Sequence, residues 1–335
     1  MNNCKQFRRL MSTWITVLVI LLLSGCSDSS QTSAQGSAKQ SPPSISVGVA
    51  YALGGKGDLT YNDAVNLGTM KLKNMGITVK EYEPTTMDDY SKGLELLATT
   101  NLRVIFCVGF LYDEPVTRLA GKYPGTTFVV LDGGAKSPQN VTSIKFNAQE
   151  GSLLAGAVAG AVSKHKHVAF IGGMDIPIIN EFLQGFKDGV KLSGTDIQVD
   201  VFYIGSGGTA FTDPVKGLEV GYTAIARGSD VLFHAAGSSG NGVIKAAKEK
   251  HVYAIGVDVD QSKVAPGTVI TSMLKNFDVA MIRVVDSIKK GENIGGQNIV
   301  LGVRDGAVSL APLSTDVSAM AKDALSKAEK LLLEK

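Results

Sequence analysis

Short apolar runs alternate with stretches of helical hydrophobic period from about residue 45 onwards. Runs rich in Val, Ile and Phe are typical of strands buried on both faces of a sheet. In the first half of this region the strand-like segments are SISVGVAYA, ITVKEYEP, RVIFCVGF and TTFVVLDGG. The helical segments between them are NDAVNLGTMKLKNM, DDYSKGLELLATT and DEPVTRLAGKY. This order predicts a parallel sheet covered by helices.

The same alternation restarts after a helical segment, AQEGSLLAGAVAGAVSK. The second set of segments reads HVAFIGG, PIINEFLQGFKDGVKLSG, IQVDVFYIGSG, DPVKGLEVGYTAIARG, DVLFHAAGSSG, NGVIKAAKEK and VYAIGVDVD. Two sets of similar size predict an α/β protein with two doubly wound parallel-sheet lobes, and one long sheet is the alternative. The tail contains TVITSMLKN, a helix, further strands and a terminal helix, so we expect the chain to cross between the lobes again.

The beginning of the chain reads as a signal segment. A basic stretch precedes LMSTWITVLVILLL, an apolar run of about 14 residues, which is short for a membrane-spanning helix. The following LSGC resembles the bacterial lipobox, so residues 1–25 are expected to be a signal peptide and Cys26 the lipidated residue; an ordinary secretory signal is the alternative. Residues 26–44 contain few large apolar side chains and are expected to be a flexible tether.

We expect the remaining chain to divide into two lobes. The first would comprise residues 45–148 and 273–293, and the second residues 149–272 and 294–335. No later segment is apolar for long enough to span a bilayer, so the body should lie outside the cytoplasm, anchored to the cell membrane at its start. Of the remaining cysteines, Cys107 lies within an apolar run and is expected to be buried and free.

The charge of the chain is close to balanced. It carries 33 basic and 31 acidic side chains, and three of the basic ones, Lys5, Arg8 and Arg9, belong to the predicted signal peptide. Such a balance gives no general attraction to nucleic acid. We find no phosphate-binding loop, no ordered dinucleotide motif and no nucleophile with a supporting base, so neither an enzyme nor a cofactor or metal requirement is predicted.

Polar and aromatic residues follow several predicted strands. The carboxyl ends of parallel strands form one edge of a sheet, where ligands of doubly wound folds bind. At those positions the sequence places Asp58, Tyr61, Asn62, Asp132, Phe211, Gly237, Asp258 and Lys275. We therefore expect a binding cleft that contains carboxylates, aromatic faces and one ammonium group.

These residue types favour an uncharged ligand with hydroxyl groups. Carboxylates accept hydrogen bonds from neutral donors and repel anions, which argues against a phosphate and for a sugar or a nucleoside. Tyr61 and Phe211, from opposite lobes, could enclose a planar ring between them. A vicinal diol such as that of ribose would suit Asp258 paired with Lys275.

Eight segments together resemble the basic membrane protein family of lipoproteins. In chain order these are GDLTYNDAVNLG, FVVLDGG, AQEGSLLAGAVAG, VAFIGGMDIPIINEFLQGFKDGV, GGTAFTDPVKG, VLFHAAGSSGNGV, AIGVDVDQ and TSMLKN. The family includes receptors of the purine nucleoside type, the substrate-binding components of ABC transporters. The resemblance implies a type I periplasmic-binding-protein fold, in which two hinged lobes close over a nucleoside, and a permease and an ATPase on separate chains. We also expect a monomer that is not an enzyme.

The resemblance implies a role for each candidate residue. Tyr61 would stack on the base where the family commonly has Phe, with Asn62 beside it, and Phe211 would stack from the other lobe. Asp132 and Asp58 would meet the edge of the base. Gly237, Asp258 and Lys275 would hold the ribose. The segment GGKGDLTYND, which contains Asp58, departs from the more Asp-rich form that is common in the family.

Each of these residues also has a structural interpretation. Phe211 or Tyr61 could pack at the start of a helix, Asp132 could form a turn, and Asp258 with Lys275 could be a structural ion pair. Asp63 is expected to cap the first helix. For the whole protein the alternatives are a receptor for a free sugar or a signalling furanone, a nucleoside hydrolase, and a surface lipoprotein that contacts other macromolecules.

Overall fold

The computed structural model describes residues 45–135, 139–194, 196–315, 317 and 319–334. The predicted signal peptide, Cys26 and the tether lie outside the described residues. Within the described ranges, no helix combines the length and the apolar character needed to cross a bilayer.

The described residues form 12 strands and nine α-helices in the predicted alternating order. The strands are β1 (Ser46–Ala50), β2 (Thr78–Tyr82), β3 (Val104–Val108), β4 (Thr127–Leu131), β5 (Val141–Phe146), β6 (His167–Gly172), β7 (Gln198–Tyr203), β8 (Val231–Ala235), β9 (Tyr253–Asp258), β10 (Val269–Lys275), β11 (Asn298–Leu301) and β12 (Val308–Leu310). The helices are α1 (Tyr61–Asn74), α2 (Asp89–Ala98), α3 (Asp113–Leu119), α4 (Ala148–Val162), α5 (Pro177–Leu192), α6 (Pro214–Ala226), α7 (Ser239–Lys250), α8 (Phe277–Lys289) and α9 (Ala319–Glu334).

The strands form two sheets of six, one in each lobe. The first sheet has the order β11-β5-β4-β3-β1-β2 and every pair in it is parallel. The second has the order β12-β10-β9-β8-β6-β7 and is parallel except for β12, which runs antiparallel to β10. The expected architecture of two doubly wound lobes is confirmed, and a single long sheet is excluded.

The chain passes between the sheets three times, and two of the crossings differ from those we expected. The first follows β5, near the expected boundary at residue 148. Strand β10 belongs to the second sheet along its full length, so the second crossing lies at Asn276 and not at residue 273. Strand β11 pairs with β5 of the first sheet, so the last crossing follows Leu301 and not residue 293. The hydrophobic pattern identifies strands but not their partners, which is why these boundaries were misplaced.

Helix α4 is apolar and largely buried after its first turn. It packs against α5, α9 and strands of the second sheet. Glycines bring α4 and α5 into main-chain contact: a Cβ at Gly189 would overlap the carbonyl oxygen of Leu153, and one at Gly156 would overlap that of Phe186. This close approach fixes α5, whose first turn carries residues of the cleft described below.

We expect Gly189→Ala to destabilise the protein by about 1 to 3 kcal/mol, because the added methyl group would meet main-chain atoms that have no room to move. Chemical denaturation of the purified protein measures the change. Gly121→Ala is the matched control, since a Cβ at that position meets no atom within 4 Å. Equal stability of the two variants would contradict the close packing of α4 on α5.

Candidate ligand-binding cleft

A cleft lies where the carboxyl ends of strands from both sheets meet. It encloses about 780 Å³ of space free of protein atoms, counted out to its open mouth. All eight residues that the sequence placed at strand ends line this one cleft: Asp58, Tyr61, Asn62, Asp132, Phe211, Gly237, Asp258 and Lys275.

Asp258, the last residue of β9, presents a buried carboxylate to the cleft. Its main chain has a φ of 68°, in the left-handed region, and the residue is 6% exposed. No described residue donates a hydrogen bond to this carboxylate. Burial, followed by the charges of Asp132 and Asp58, raises its pKa to about 7, although Lys275 acts in the opposite direction. The carboxylate of Asp258 is therefore a hydrogen-bond acceptor that none of the described residues occupies.

Lys275 pairs with Asp132 and not with Asp258. The Lys275 Nζ lies 2.5 Å from Oδ2 of Asp132, and both side chains are 3% exposed. The other oxygen of Asp132 accepts a hydrogen bond from the main-chain N–H of Phe146 at 3.1 Å. The expected pairing of Asp258 with Lys275 is thus replaced by an ion pair that joins the two lobes, since Asp132 follows β4 and Lys275 ends β10.

Aromatic rings surround the ammonium group of Lys275. The Nζ atom is 4.7 Å from the ring centre of Phe182 and 5.6 Å from that of Tyr61. Both distances fall within the range of cation–π attraction. The ammonium group is therefore held by a carboxylate and two aromatic rings at the base of the cleft.

The carboxylate of Asp58 is occupied by its own loop. It accepts hydrogen bonds from the main-chain N–H groups of Thr60, Asn62 and Asp63 and from the side-chain amide of Asn62. Burial raises its pKa, against the lowering effect of these hydrogen bonds. Asp58, and not Asp63 as expected, therefore satisfies the first N–H groups of α1. Because these hydrogen bonds already occupy both oxygens of Asp58, the carboxylate has little remaining capacity to accept hydrogen bonds from the edge of a base.

Asp63 and Asn62 bind main-chain groups of the loop before α1. Asp63 accepts hydrogen bonds from the N–H groups of Gly57 and Leu59. The side-chain oxygen of Asn62 accepts the N–H of Ala52 at 2.9 Å. These two side chains thus fix the loop that holds Tyr61 at the cleft.

Tyr61 and Phe211 line the cleft from opposite lobes, and each is partly buried. The Tyr61 ring makes a T-shaped contact with Phe277 at 5.3 Å, and its hydroxyl donates to the carbonyl of Leu131 at 3.3 Å. Burial raises the pKa of Tyr61 well above its usual value, and the carboxylates of Asp132 and Asp258 add to this effect. The hydroxyl of Tyr61 consequently stays protonated and acts as a hydrogen-bond donor.

The position of Phe211 depends on two glycines. Its ring packs against Gly173, where a Cβ would overlap the ring atoms, and its main-chain carbonyl lies against Gly237. Gly237 follows β8 with a φ of 53°. Phe211 also makes a T-shaped contact with Phe110 of the first lobe at 6.3 Å. After Phe211, Asp213 caps α6 by accepting the N–H of Lys216.

The cleft also contains aromatic residues that the sequence did not reveal. These are Tyr90, Phe110 and Phe182. Phe110 directly follows β3, so its position at a strand end was a usable signal. Tyr90 and Phe182 lie on helices at the spacing of core residues, and Tyr90 accepts the N–H of Leu53 at 2.7 Å. Their pattern cannot be distinguished from that of ordinary packing.

The structure also describes residues outside the cleft. Cys107 is buried and free. Among the described residues, no group of three or more His, Cys, Asp or Glu side chains could hold a metal ion. Asp260 accepts the N–H of Ser262 in the turn that follows β9.

The sequence and the fold match those of transport receptors. The family model for PnrA-like ABC transporter substrate-binding proteins, Bmp, matches residues 45–335. The chain belongs to the Bmp family. Its members are substrate-binding proteins and not enzymes, so the hydrolase alternative is dismissed, and the described body is extracytoplasmic and works with an ABC permease.

Individual relatives cover most of the chain. Basic membrane protein A1 of Borrelia garinii subsp. bavariensis is 30% identical over 87% of this chain and 86% of its own length. The ABC transporter nucleoside-binding protein BmpA of Lactococcus lactis subsp. cremoris is 26% identical over 94% of this chain and 93% of its own. A crystal structure of an ABC transporter solute-binding protein from Aeropyrum pernix K1 has a TM-score of 0.73 and 26% identity, and covers 85% of this chain and 86% of that one.

In this Bmp-family protein, the raised pKa of Asp258 predicts a pH-dependent stability. The folded protein holds the proton of Asp258 more tightly than the unfolded chain does, so this residue lowers the free energy of unfolding as pH rises from about 4 to about 7. We expect Asp258→Asn to stabilise the protein at pH 8, by on the order of 2 kcal/mol, and to have little effect at pH 4.

Thermal unfolding at pH 4 and pH 8 checks this expectation. Asp260→Asn is the control because Asp260 is exposed and lies only two residues away. If Asp258→Asn is no more stable than the wild type at pH 8, the conclusion that the carboxylate of Asp258 is buried without a hydrogen-bond donor is wrong.

Proposed function

We propose that this protein captures a nucleoside, with purines preferred, in the cleft between its lobes and delivers it to an ABC importer. The single observation that carries the proposal is the buried carboxylate of Asp258, which faces the cleft with no hydrogen-bond donor among the described residues. Two hydroxyl groups of a ribose would supply such donors, and hydrogen bonds to a charged acceptor belong to the stronger class.

The charges of the cleft favour a neutral ligand. Among the described residues that line it, Lys275 is the only base, and its charge is balanced by Asp132. The carboxyl groups of Asp58 and Asp258 have no partner cation in this lining, so any charge that they carry is negative and uncompensated. A phosphate group would meet this negative potential without a free cation, so a nucleoside is favoured over a nucleotide.

The aromatic residues favour a ligand with a planar ring. Tyr61 and Phe110 belong to the first lobe and Phe211 and Phe182 to the second, so rings are available on both sides of the cleft. Stacking of a base on an aromatic side chain is worth about 1 to 3 kcal/mol. The name of the Lactococcus lactis relative, a nucleoside-binding protein, supports the same ligand class.

The residues divide into two roles under this proposal. Tyr61 and Phe211 stack on the base, and Asp258 accepts the ribose hydroxyls beside Gly237. Asp132 and Lys275 shape the base of the cleft through their ion pair, and Asp58 and Asn62 hold the loop that carries Tyr61. Closure of the hinge would then be stabilised by a ligand that contacts both lobes.

Calorimetric titration with inosine, ribose, hypoxanthine and inosine 5′-phosphate tests the ligand class. We expect inosine to bind most tightly, because neither fragment uses both the rings and Asp258, and because the phosphate is repelled. Tighter binding of ribose than of inosine would favour a sugar receptor and contradict the proposal.

Phe211→Ala should weaken the binding of inosine at least about tenfold, since it removes one stacking face. Phe202→Ala is the control, because Phe202 is an aromatic residue of the same lobe that does not line the cleft. If Phe211→Ala retains the affinity of the wild type, the stacking role is wrong.

The anchor of the receptor is proposed from the sequence alone. Cys26 would carry the lipid and the following residues to 44 would tether the body to the membrane. We expect Cys26→Ser to move the protein out of the membrane fraction or to leave the signal uncleaved, and Cys4→Ser to have neither effect. Cell fractionation with mass spectrometry of the N-terminus measures both. A Cys26→Ser protein that stays in the membrane fraction although its signal has been cleaved would exclude the lipid anchor.

A further inference from the structure

The loop before α1 has an unusual main chain. Gly54, Gly55, Gly57 and Leu59 all have positive φ, with Leu59 at 60°. Leucine rarely adopts this conformation, because its Cβ then approaches the following carbonyl oxygen. The side chain of Leu59 is 47% exposed, so burial of the side chain does not explain the conformation.

The conformation directs two main-chain carbonyls of this loop to the second lobe. The side-chain amide of Asn241, on α7, donates to the carbonyl of Asp58 at 2.9 Å. The side-chain amide of Gln261 donates to the carbonyl of Leu59 at 3.1 Å. Neither Asn241, Gln261 nor Leu59 lines the cleft.

The orientation of the Gln261 amide follows from its partners. The main-chain N–H of Val257 can only donate, and it lies 2.9 Å from one end of the Gln261 amide, so that end is the oxygen. The amide nitrogen of Gln261 therefore faces Leu59. The same oxygen lies 3.0 Å from Nε2 of His234, which therefore carries the proton. The nitrogen also lies 3.3 Å from Oδ1 of Asn241. The two amides are thus held in one connected network at the edge of the second lobe.

We propose that Asn241 and Gln261 form a closure latch: two amides of the second lobe hold the main-chain carbonyls of Asp58 and Leu59 and stabilise the closed cleft without contacting the ligand. Separation of the lobes breaks both hydrogen bonds, whereas the contacts of Asp58 within its own loop are kept. The latch rests on the receptor function but not on the chemical identity of the ligand. Its residues are positioning residues.

A latch makes a specific kinetic prediction. A ligand leaves only after the lobes open, so loss of the latch should speed dissociation, while association with the open form is unchanged. We expect Asn241→Ala to raise the dissociation rate of inosine about tenfold, as one lost hydrogen bond of ordinary strength would, with the association rate within about twofold of the wild type.

Asn241 is a better site for this test than Gln261, whose oxygen also satisfies the N–H of Val257. Asn241→Asp keeps the acceptor for Gln261 but places a carboxylate against the carbonyl of Asp58, so its effect should be at least as large. Asn180→Ala is the matched control. Asn180 is also half-buried, and its side chain bonds only Asp175 and Tyr203 of its own lobe.

Stopped-flow kinetics with inosine and hydrogen exchange of residues 53–60 in the full-length protein provide two readouts. Dissociation that is faster in Asn241→Ala than in Asn180→Ala supports the latch, and equal dissociation rates overturn it. If the wild type binds no inosine, the proposed ligand is wrong and exchange in the ligand-free protein decides. Faster exchange of the loop in Asn241→Ala than in Asn180→Ala then supports the latch, and equal exchange overturns it.

Discussion

The ion pair between Asp132 and Lys275 is the interaction on which the cleft depends. Each partner comes from a different sheet, and both are almost fully excluded from water, so each charge relies on the other. Removal of one partner from such a pair leaves a buried charge without compensation, which typically destabilises a protein by about 3 to 5 kcal/mol. The pair fixes the base of the cleft and, by occupying the ammonium group, leaves Asp258 without a donor.

Asp258 shows how binding and stability oppose each other at this site. The folded protein would be more stable if the carboxylate of Asp258 were exposed to water or accepted a hydrogen bond from the protein. The same carboxylate would then no longer be available to a ligand. The strain at its positive φ adds to the same conflict. Asp58 shows the opposite case. Its carboxylate accepts hydrogen bonds from main-chain N–H groups of its own loop, and these bonds stabilise the first turn of α1.

The sequence located the cleft because parallel strands collect their carboxyl ends at one edge, so position along the chain was enough to place all eight residues together. It did not reveal which of three carboxylates would receive the single ammonium group, because that depends on distances between lobes. Strand β5 was not predicted either, because Thr142 and Ser143 interrupt its apolar pattern. Both residues are buried, and their hydroxyls donate to the carbonyls of Ile294 and Ala135. Asn241 and Gln261 carried no signal, since the groups that they bind in the first lobe are main-chain carbonyls.

The three crossings between the sheets have a consequence for how the molecule is made. Helix α8, which covers α1, and β11, which completes the first sheet, are both synthesised after the strands from β6 to β10 of the second lobe. The first lobe therefore cannot finish folding from its first five strands alone, and its edge at β5 stays unpaired until the chain as far as Leu301 has been exported. Assembly of both halves is a late event of the whole polypeptide, and a chain truncated before that residue would display an unfinished edge to other chains.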